Sequence, residues 1–394
     1  MEIPFRSSSR TTLGVEWELM LVDRQTRELR GDAAEVLDEM TAARGLDPAL
    51  HEHPRAKHEL LQNTVELVTG ICTTVGDATR DLQQSVDELR AFTEPRGLGL
   101  MCAGTHPSSS WAAQEISPKP RYRELVEEMQ LLARQLQVFG VHVHVGVRSP
   151  DKVMPIVNAL TQYVPHFLAL TASSPYWLGL DTGLASMRSK VFEMLPTAGL
   201  PYQLEDWAEF ESYMETLLTT GTITSIKEVW WDIRPHPDFG TVELRVCDGI
   251  PTLAEVGMVT ALAQCLVERL DSELDRGYVL PVPKGWVVRE NKWRAARHGL
   301  DADIIVGETD AVVPLRSSLE ELVHDLGPVA ERLGCAEELS RVGLVLETGA
   351  SYQRQRAVAG SHDGRLEAVV DSLLREHETG SPTVARRRRP GAVA

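Results

Sequence analysis

Residues 230–248 read WWDIRPHPDFGTVELRVCD, and their rhythm sets how the rest of the chain is read. From Thr241 to Asp248 the residues alternate. Val242, Leu244 and Val246 fall on one face of an extended strand, and Glu243, Arg245 and Cys247 fall on the other. Trp230 to Arg234 has the composition of a second strand. Pro235, His236, Pro237, Asp238, Phe239 and Gly240 lie between them as turn formers, so an antiparallel hairpin is predicted. A carboxylate beside a guanidinium on one face is either a structural ion pair or a metal ligand next to a phosphate clamp, because arginine offers phosphoryl oxygens a planar, bidentate fork. Arg234, on the neighbouring strand, adds a second cation.

The same two-residue period recurs upstream. In Thr11 to Val22, Leu13, Val15, Trp17 and Leu19 alternate with Gly14, Glu16 and Glu18, which puts both carboxylates on one face, within reach of shared cations or simply in water. Val138 to Val147 alternates Val141, Val143 and Val145 with His142, His144 and Gly146. Both histidines therefore share a strand face, as metal ligands or as a polar surface. In His58 to Gly70, HELLQNTVELVTG, Glu66 alternates with Val65 and Leu67 and points away from them. Glu59 shares its face across two turns if the stretch is helical, and loses that relation if the chain bends at Asn63. Arg188 and Lys190 stand in Ser186 to Pro201, whose Gly, Pro and Ser suit either an ordered loop over a site or a solvated loop.

Helical periodicity links these strands at Asp77 to Phe92, Tyr122 to about Leu136, Val153 to Ala172 and Trp207 to Leu218. A buried strand is read at Leu98 to Ala103. After Leu253 the chain is mostly helical, with apolar stretches at Leu253 to Leu270, Leu319 to Leu333 and Leu366 to Leu374. This order predicts an α+β fold, an antiparallel sheet with helices around it, in one domain over residues 1–378. Residues 379–394, with Arg386 to Arg389, are expected to form a disordered basic tail.

The net charge of −17 over 394 residues sets the whole surface against nucleic acid and anionic membranes. No apolar run reaches the length of a membrane span, and the N-terminus lacks a signal core. Five scattered cysteines without a Cys-x-x-Cys pair fit buried thiols in a reducing cytoplasm. There is neither a Walker-type phosphate loop nor a Gly-x-Gly-x-x-Gly turn, so any ATP must be gripped through carboxylate-bound metal.

GVEWEL (Gly14 to Leu19), TVELVTG (Thr64 to Gly70), GVHVHVG (Gly140 to Gly146), MRSKVFEMLPTAGLP (Met187 to Pro201) and the opening stretch together resemble, in order and spacing, the carboxylate–amine ligases called type 2 glutamate–cysteine ligases, over residues 10 to 370. The resemblance implies a glutamine-synthetase-like curved antiparallel sheet holding ATP and Mg²⁺. By position it implies metal ligation by Glu16, Glu18, Glu59, Glu66, Glu243 and a histidine, His142 before His144. Arg245 is then expected near the phosphates, Arg234 joins it in binding phosphate or carboxylate, and Arg188 and Lys190 are assigned to ATP or substrate. The implied reaction activates a carboxylate, the γ-carboxylate of glutamate or that of a similar acid, as an acyl phosphate and joins it to an amine, with small molecules as partners and a homodimer by analogy. A rival from another class is a zinc amide hydrolase built on His142 and His144 with His51 or His53. A third reading is a non-catalytic ATP-binding relative.

Overall fold

A computed structural model describes residues 1–307 and 311–383. Its strands, in chain order, are β1 (Leu13–Asp23), β2 (Ala56–His58), β3 (Thr64–Val68), β4 (Leu98–Met101), β5 (Val141–Gly146), β6 (Tyr176–Trp177), β7 (Leu180–Asp181), β8 (Ile233–His236), β9 (Thr241–Leu244), β10 (Asp303–Val306) and β11 (Ala311–Pro314). Seven of them form one antiparallel sheet in the order β2-β3-β1-β5-β9-β8, with β4 pairing the far end of β1.

The alternation read from the sequence becomes two faces. Val15, Trp17, Val65, Leu67, Val143, Val242 and Leu244 are buried in the main core, beneath the helices Val75–Thr93, Pro150–Leu160 and Leu253–Asp275. Full burial of such side chains is worth about 1.5–3 kcal/mol each, so a one-residue register slip would expel the whole row. The helix Leu253–Asp275 starts cleanly because the Thr252 side chain accepts the backbone N–H of Glu255, satisfying one of the end donors that a helix leaves free.

The opposite face of β1 changes character along its length. Met20 and Val22 belong to a second core with Val369, Val370 and Leu373, covered by the C-terminal helix Leu366–Thr379. Glu16 and Glu18, half-buried, lie before that cover begins, and the polar part of the face is left as a hollow.

Three sequence readings need correction, and the alternative left open around Glu59 is decided. The helix expected over Tyr122 to Leu136 is two, Pro120–Met129 and Leu131–Arg134, broken where Gln130 takes a positive φ of 50°. The helix expected over Val153 to Ala172 is also two, Pro150–Leu160 and Val164–Thr171, separated by a 3₁₀ turn, with Pro165 at the start of the second. Pro165 there has no amide hydrogen to give, which suits a helix start. Pro235 and His236 belong to β8 and not to the turn. Because β8 is an edge strand, the amide hydrogen that Pro235 lacks is not needed by a further neighbour. The stretch around Glu59 is not helical: β2 ends at His58 and the chain turns before β3.

Thr383 is tied to the C-terminal helix by its N–H to Glu376 (2.9 Å) and by Ser372 (3.0 Å). The run Arg386 to Arg389 lies outside the described residues. Among the described residues, no helix is long and apolar enough to cross a membrane. All five cysteines are free and buried.

Candidate active site

Antiparallel register brings the acidic residues together. Glu18 of β1 is directly opposite Glu66 of β3, Glu16 is opposite His142 of β5, and His144 is opposite Glu243 of β9, which is in turn opposite Arg234 of β8. Directly opposed residues share a sheet face, so five strands supply one surface. Glu59 joins from the bend after β2, its own Oε2 accepting the N–H of Leu60 (3.1 Å).

Two electrostatically different halves result. In the first, carboxylate oxygens of Glu18, Glu59 and Glu66 lie within 4.8 Å of one another. Glu18 accepts a short hydrogen bond from the N–H of Gly140, and no lysine or arginine forms an ion pair with any of the three among the described residues. Burial, reinforced by the charge of Glu59, pushes the Glu18 carboxyl up to about 8. Glu66 is driven well above the usual range by burial and then by Glu16, Glu59 and Glu18, and Glu59 is raised mainly by burial. Three like charges in one hollow are tolerable only if protonated or if a cation sits among them.

In the second half, charge is already compensated. Glu16 receives Nδ1 of His142 at 2.8 Å and Nε2 of His144 at 3.2 Å. Burial alone would raise its carboxyl, yet these two histidines hold it far below the usual range. Glu243 accepts from Arg234 at 2.7 Å and 3.4 Å, and from Arg245 in a shorter contact. Its carboxyl is held well below the ordinary value against burial, by Arg234 and then Arg245. His142 is kept neutral, down to about 4, by burial and the charge of Arg245. His144, by contrast, is raised: burial opposes this, but Glu243 and Glu16 outweigh it. Nδ1 of His144 meets the Thr241 hydroxyl at 3.0 Å, leaving Nε2 toward Glu16.

Oxygen-only donors such as Glu18, Glu59 and Glu66 suit a hard cation like magnesium. Two further sets bring ligand atoms equally close, Glu16 with Glu66 and His142, and Glu16 with His144 and Glu243.

The arginines divide as well. Arg234 is fully engaged, because besides Glu243 it donates to the carbonyls of Lys227 (2.9 Å) and Val229 (2.8 Å). That makes it a brace for Glu243, where the sequence reading had assigned it to phosphate or carboxylate binding. Among the described residues Arg245 is paired only with Glu243, and its buried Nε has no partner. Arg188 is not on a solvated loop: it opens the short helix Arg188–Phe192, is 4% exposed, and donates to the carbonyl of Arg245. Lys190 is turned to Glu193 (2.6 Å) and lies over the Trp293 ring, outside the carboxylate sets. Glu243 is not on an open polar surface but is 1% exposed.

Sequence reasoning missed Thr241, Asp232 and Lys292. The backbone carbonyl of Asp232 accepts the N–H of Arg245 at 2.8 Å, and the Asp232 carboxylate accepts from the buried Lys292 at 2.5 Å. Lys292 comes from the helix Gly285–His298, far along the chain, and no local pattern announces it. The histidine-rich zinc set is not assembled. His51 bonds the carbonyl of Asp47 and His53 meets Glu88 at 3.3 Å, and neither joins a ligand set.

The glutamate-cysteine ligase family 2 (GCS2) sequence model matches residues 12–372. A relative from Frankia alni, named "Putative glutamate--cysteine ligase 2-1", is 62% identical over 98% of this chain and all of its own length. One from Thermobifida fusca, named "Putative glutamate--cysteine ligase 2", is 58% identical over 98% of this chain and 95% of its own. Among solved structures, the glutamate–cysteine ligase of Francisella tularensis, in complex with AMP, superposes with a TM-score of 0.67 at 13% identity, over 95% of this chain and 90% of that one. A bifunctional glutathione synthetase from Pasteurella multocida gives 0.66 at 15%, over 94% of this chain and 52% of that one. The fold is the glutamine-synthetase-like antiparallel sheet with surrounding helices expected from the sequence. The class so defined is an enzyme, an ATP-dependent carboxylate–amine ligase. The chain belongs to glutamate–cysteine ligase family 2.

Proposed function

We propose that the chain activates the γ-carboxylate of glutamate with ATP and magnesium, and joins the resulting acyl phosphate to an amine. The observation that carries this reading is the hollow of Glu18, Glu59 and Glu66, three half-buried carboxylates within 4.8 Å of one another with no ion-paired cation among the described residues. Support comes from the names of the relatives and from the AMP held by the Francisella protein.

A carboxylate resists attack by an amine because its leaving group would be an oxide ion. In the proposed first step a carboxylate oxygen bonds to the γ-phosphorus while the bond to the bridging oxygen breaks, and ADP leaves with the electron pair. In the second, the amine lone pair attacks the acyl carbon, the carbon–oxygen bond to phosphate breaks, and the amine proton passes to the departing phosphate or to water. Magnesium, when bound, supplies screening of the phosphate charge that accumulates on transfer. Glu18, Glu59 and Glu66 would hold it on one side, and Glu16, either with Glu66 and His142 or with His144 and Glu243, would offer further ligands. Arg245, whose Nε has no partner, is placed to add a fixed positive charge at the phosphates. Neither step needs a protein nucleophile.

The test is ADP release from purified protein with MgATP, glutamate and a panel of amines that includes cysteine. Release that requires both acid and amine is expected. Amide hydrolysis without ATP, together with bound zinc, would replace this reading by the hydrolase.

A further inference from the structure

Strand β9 ends at Leu244, and beyond it the backbone is still paired, the Arg245 N–H to the Asp232 carbonyl (2.8 Å) and Asp248 to Gly140 by an isolated bridge, but side chains add a second hold on residues 245–248. A chain of buried polar contacts does this. The Asp248 carboxylate is fully buried and accepts from three donors: the Ser174 hydroxyl (2.6 Å) and the Ser173 N–H (3.0 Å) on Oδ2, and the Ser186 hydroxyl (2.8 Å) on Oδ1. Both hydroxyls then accept from the next helix, Ser174 from the N–H of Arg188 (3.0 Å) and Ser186 from the N–H of Ser189 (3.2 Å). Asp248 thus fixes the start of that helix through two serines. Arg188 in turn returns to the strand, donating both terminal nitrogens to the Arg245 carbonyl at 3.3 Å.

The space around this chain is filled. A Cβ on Gly104 would collide with the Asp248 carboxylate, and one on Gly140 would collide with the Arg188 guanidinium. Gly140 is also the residue whose N–H holds Glu18, so the brace touches both the arginine and the acidic half of the hollow. A buried carboxylate is retained only where its acceptors are satisfied, and here every donor it binds leads to the segment carrying Arg188 or its foundation.

We propose that Asp248 is a positioning residue, acting through Ser174, Ser186 and Arg188 to aim Arg245 at the phosphates. The role rests on the reading of Arg245 as a phosphate-binding residue. The test is a double-mutant cycle of Asp248→Asn and Arg188→Lys, read as the dissociation constant of MgADP by calorimetry and as KM for MgATP against kcat in the ADP-release assay. Each single variant is expected to weaken MgADP about tenfold. Because both act along one path, the double variant should be weakened little beyond the stronger single one. KM for MgATP should rise in step while KM for glutamate stays within a factor of two. Independent effects that multiply in the double variant, or wild-type MgADP affinity in Asp248→Asn, would overturn the proposal. If Asp248→Asn does not fold, Ser186→Ala takes its place in the cycle with the same two outcomes. Calorimetry needs no turnover, so a wild-type protein that binds MgADP but releases none in the assay would remove the ligase reading and leave this cycle to decide on Asp248.

Discussion

The two halves of the hollow hold the same kind of side chain in opposite electrostatic states. Glu243 is locked between Arg234 and Arg245, and Glu16 between two histidines, so both are stable carboxylates as they stand. Glu18, Glu59 and Glu66 face one another without such partners. The difference shows that a glutamate's job in this sheet is set less by its strand position than by what stands opposite. Where protein cations are built in, the carboxylate is held ionised, and where they are missing burial and like charge push the carboxyl upward.

The comparison breaks most sharply on activity. Glu66→Gln should lower ADP release about a hundredfold to a thousandfold, the size of effect seen when one preorganised electrostatic group is removed from an active site. A loss of less than tenfold would take Glu66 out of the metal set. Glu243→Gln should also lose activity and, in addition, stability. It strips the buried charge that compensates two half-buried arginines, which costs about 3 kcal/mol when one partner of a buried pair is removed. A denaturant melt of that variant reads this directly. The result differs from what the strand pattern alone implies, a polar-face substitution without effect on folding.

Smaller effects sharpen the contrast. Thr241→Val removes the hydroxyl that orients His144 and should weaken magnesium binding about tenfold, as losing an outer partner of a metal ligand commonly does. The carboxylate hollow is not the only place where burial sets protonation. Far from it, burial holds His106 and His166 neutral, down to about 4. Their folded values lie below the unfolded 6.5, so the unfolded chain binds protons first as the pH falls. Stability is therefore expected to be constant above about 7 and to decline from 6.5 through 4, measured by denaturant melts with magnesium present. A flat profile over that window would contradict it.

Much of this was legible in the sequence, for a physical reason. A strand repeats every two residues, so Glu16, Glu18, Glu66, His142 and Glu243 could each be placed on the polar side from their apolar neighbours alone. Their convergence was implied by family resemblance and is set in space by register, which alternation does not encode. Glu59 sits in a bend after a three-residue strand and carried no period at all. Arg234 looked like a free cation because its partners, the carbonyls of Lys227 and Val229, have no side-chain signature. Apolar periodicity also ran on through breaks it cannot sense, as at Gln130 and at Thr161 to Tyr163. The helices Ala336–Thr348 and Ser351–Ser361 were covered only by a general expectation of helix. Lys292, buried against Asp232, reads in sequence as an ordinary surface lysine.

The contrast between an uncompensated and a compensated carboxylate is tested most directly by the melting temperatures of Glu66→Gln and Glu243→Gln in magnesium-free buffer at neutral pH. Relief of repulsion should raise the first above wild type, and leaving two half-buried arginines without their carboxylate should drop the second below it. Adding magnesium should then stabilise the wild type and leave Glu66→Gln nearly unmoved. Both variants melting below wild type by similar amounts would show that the two halves of the hollow do not differ in the way described.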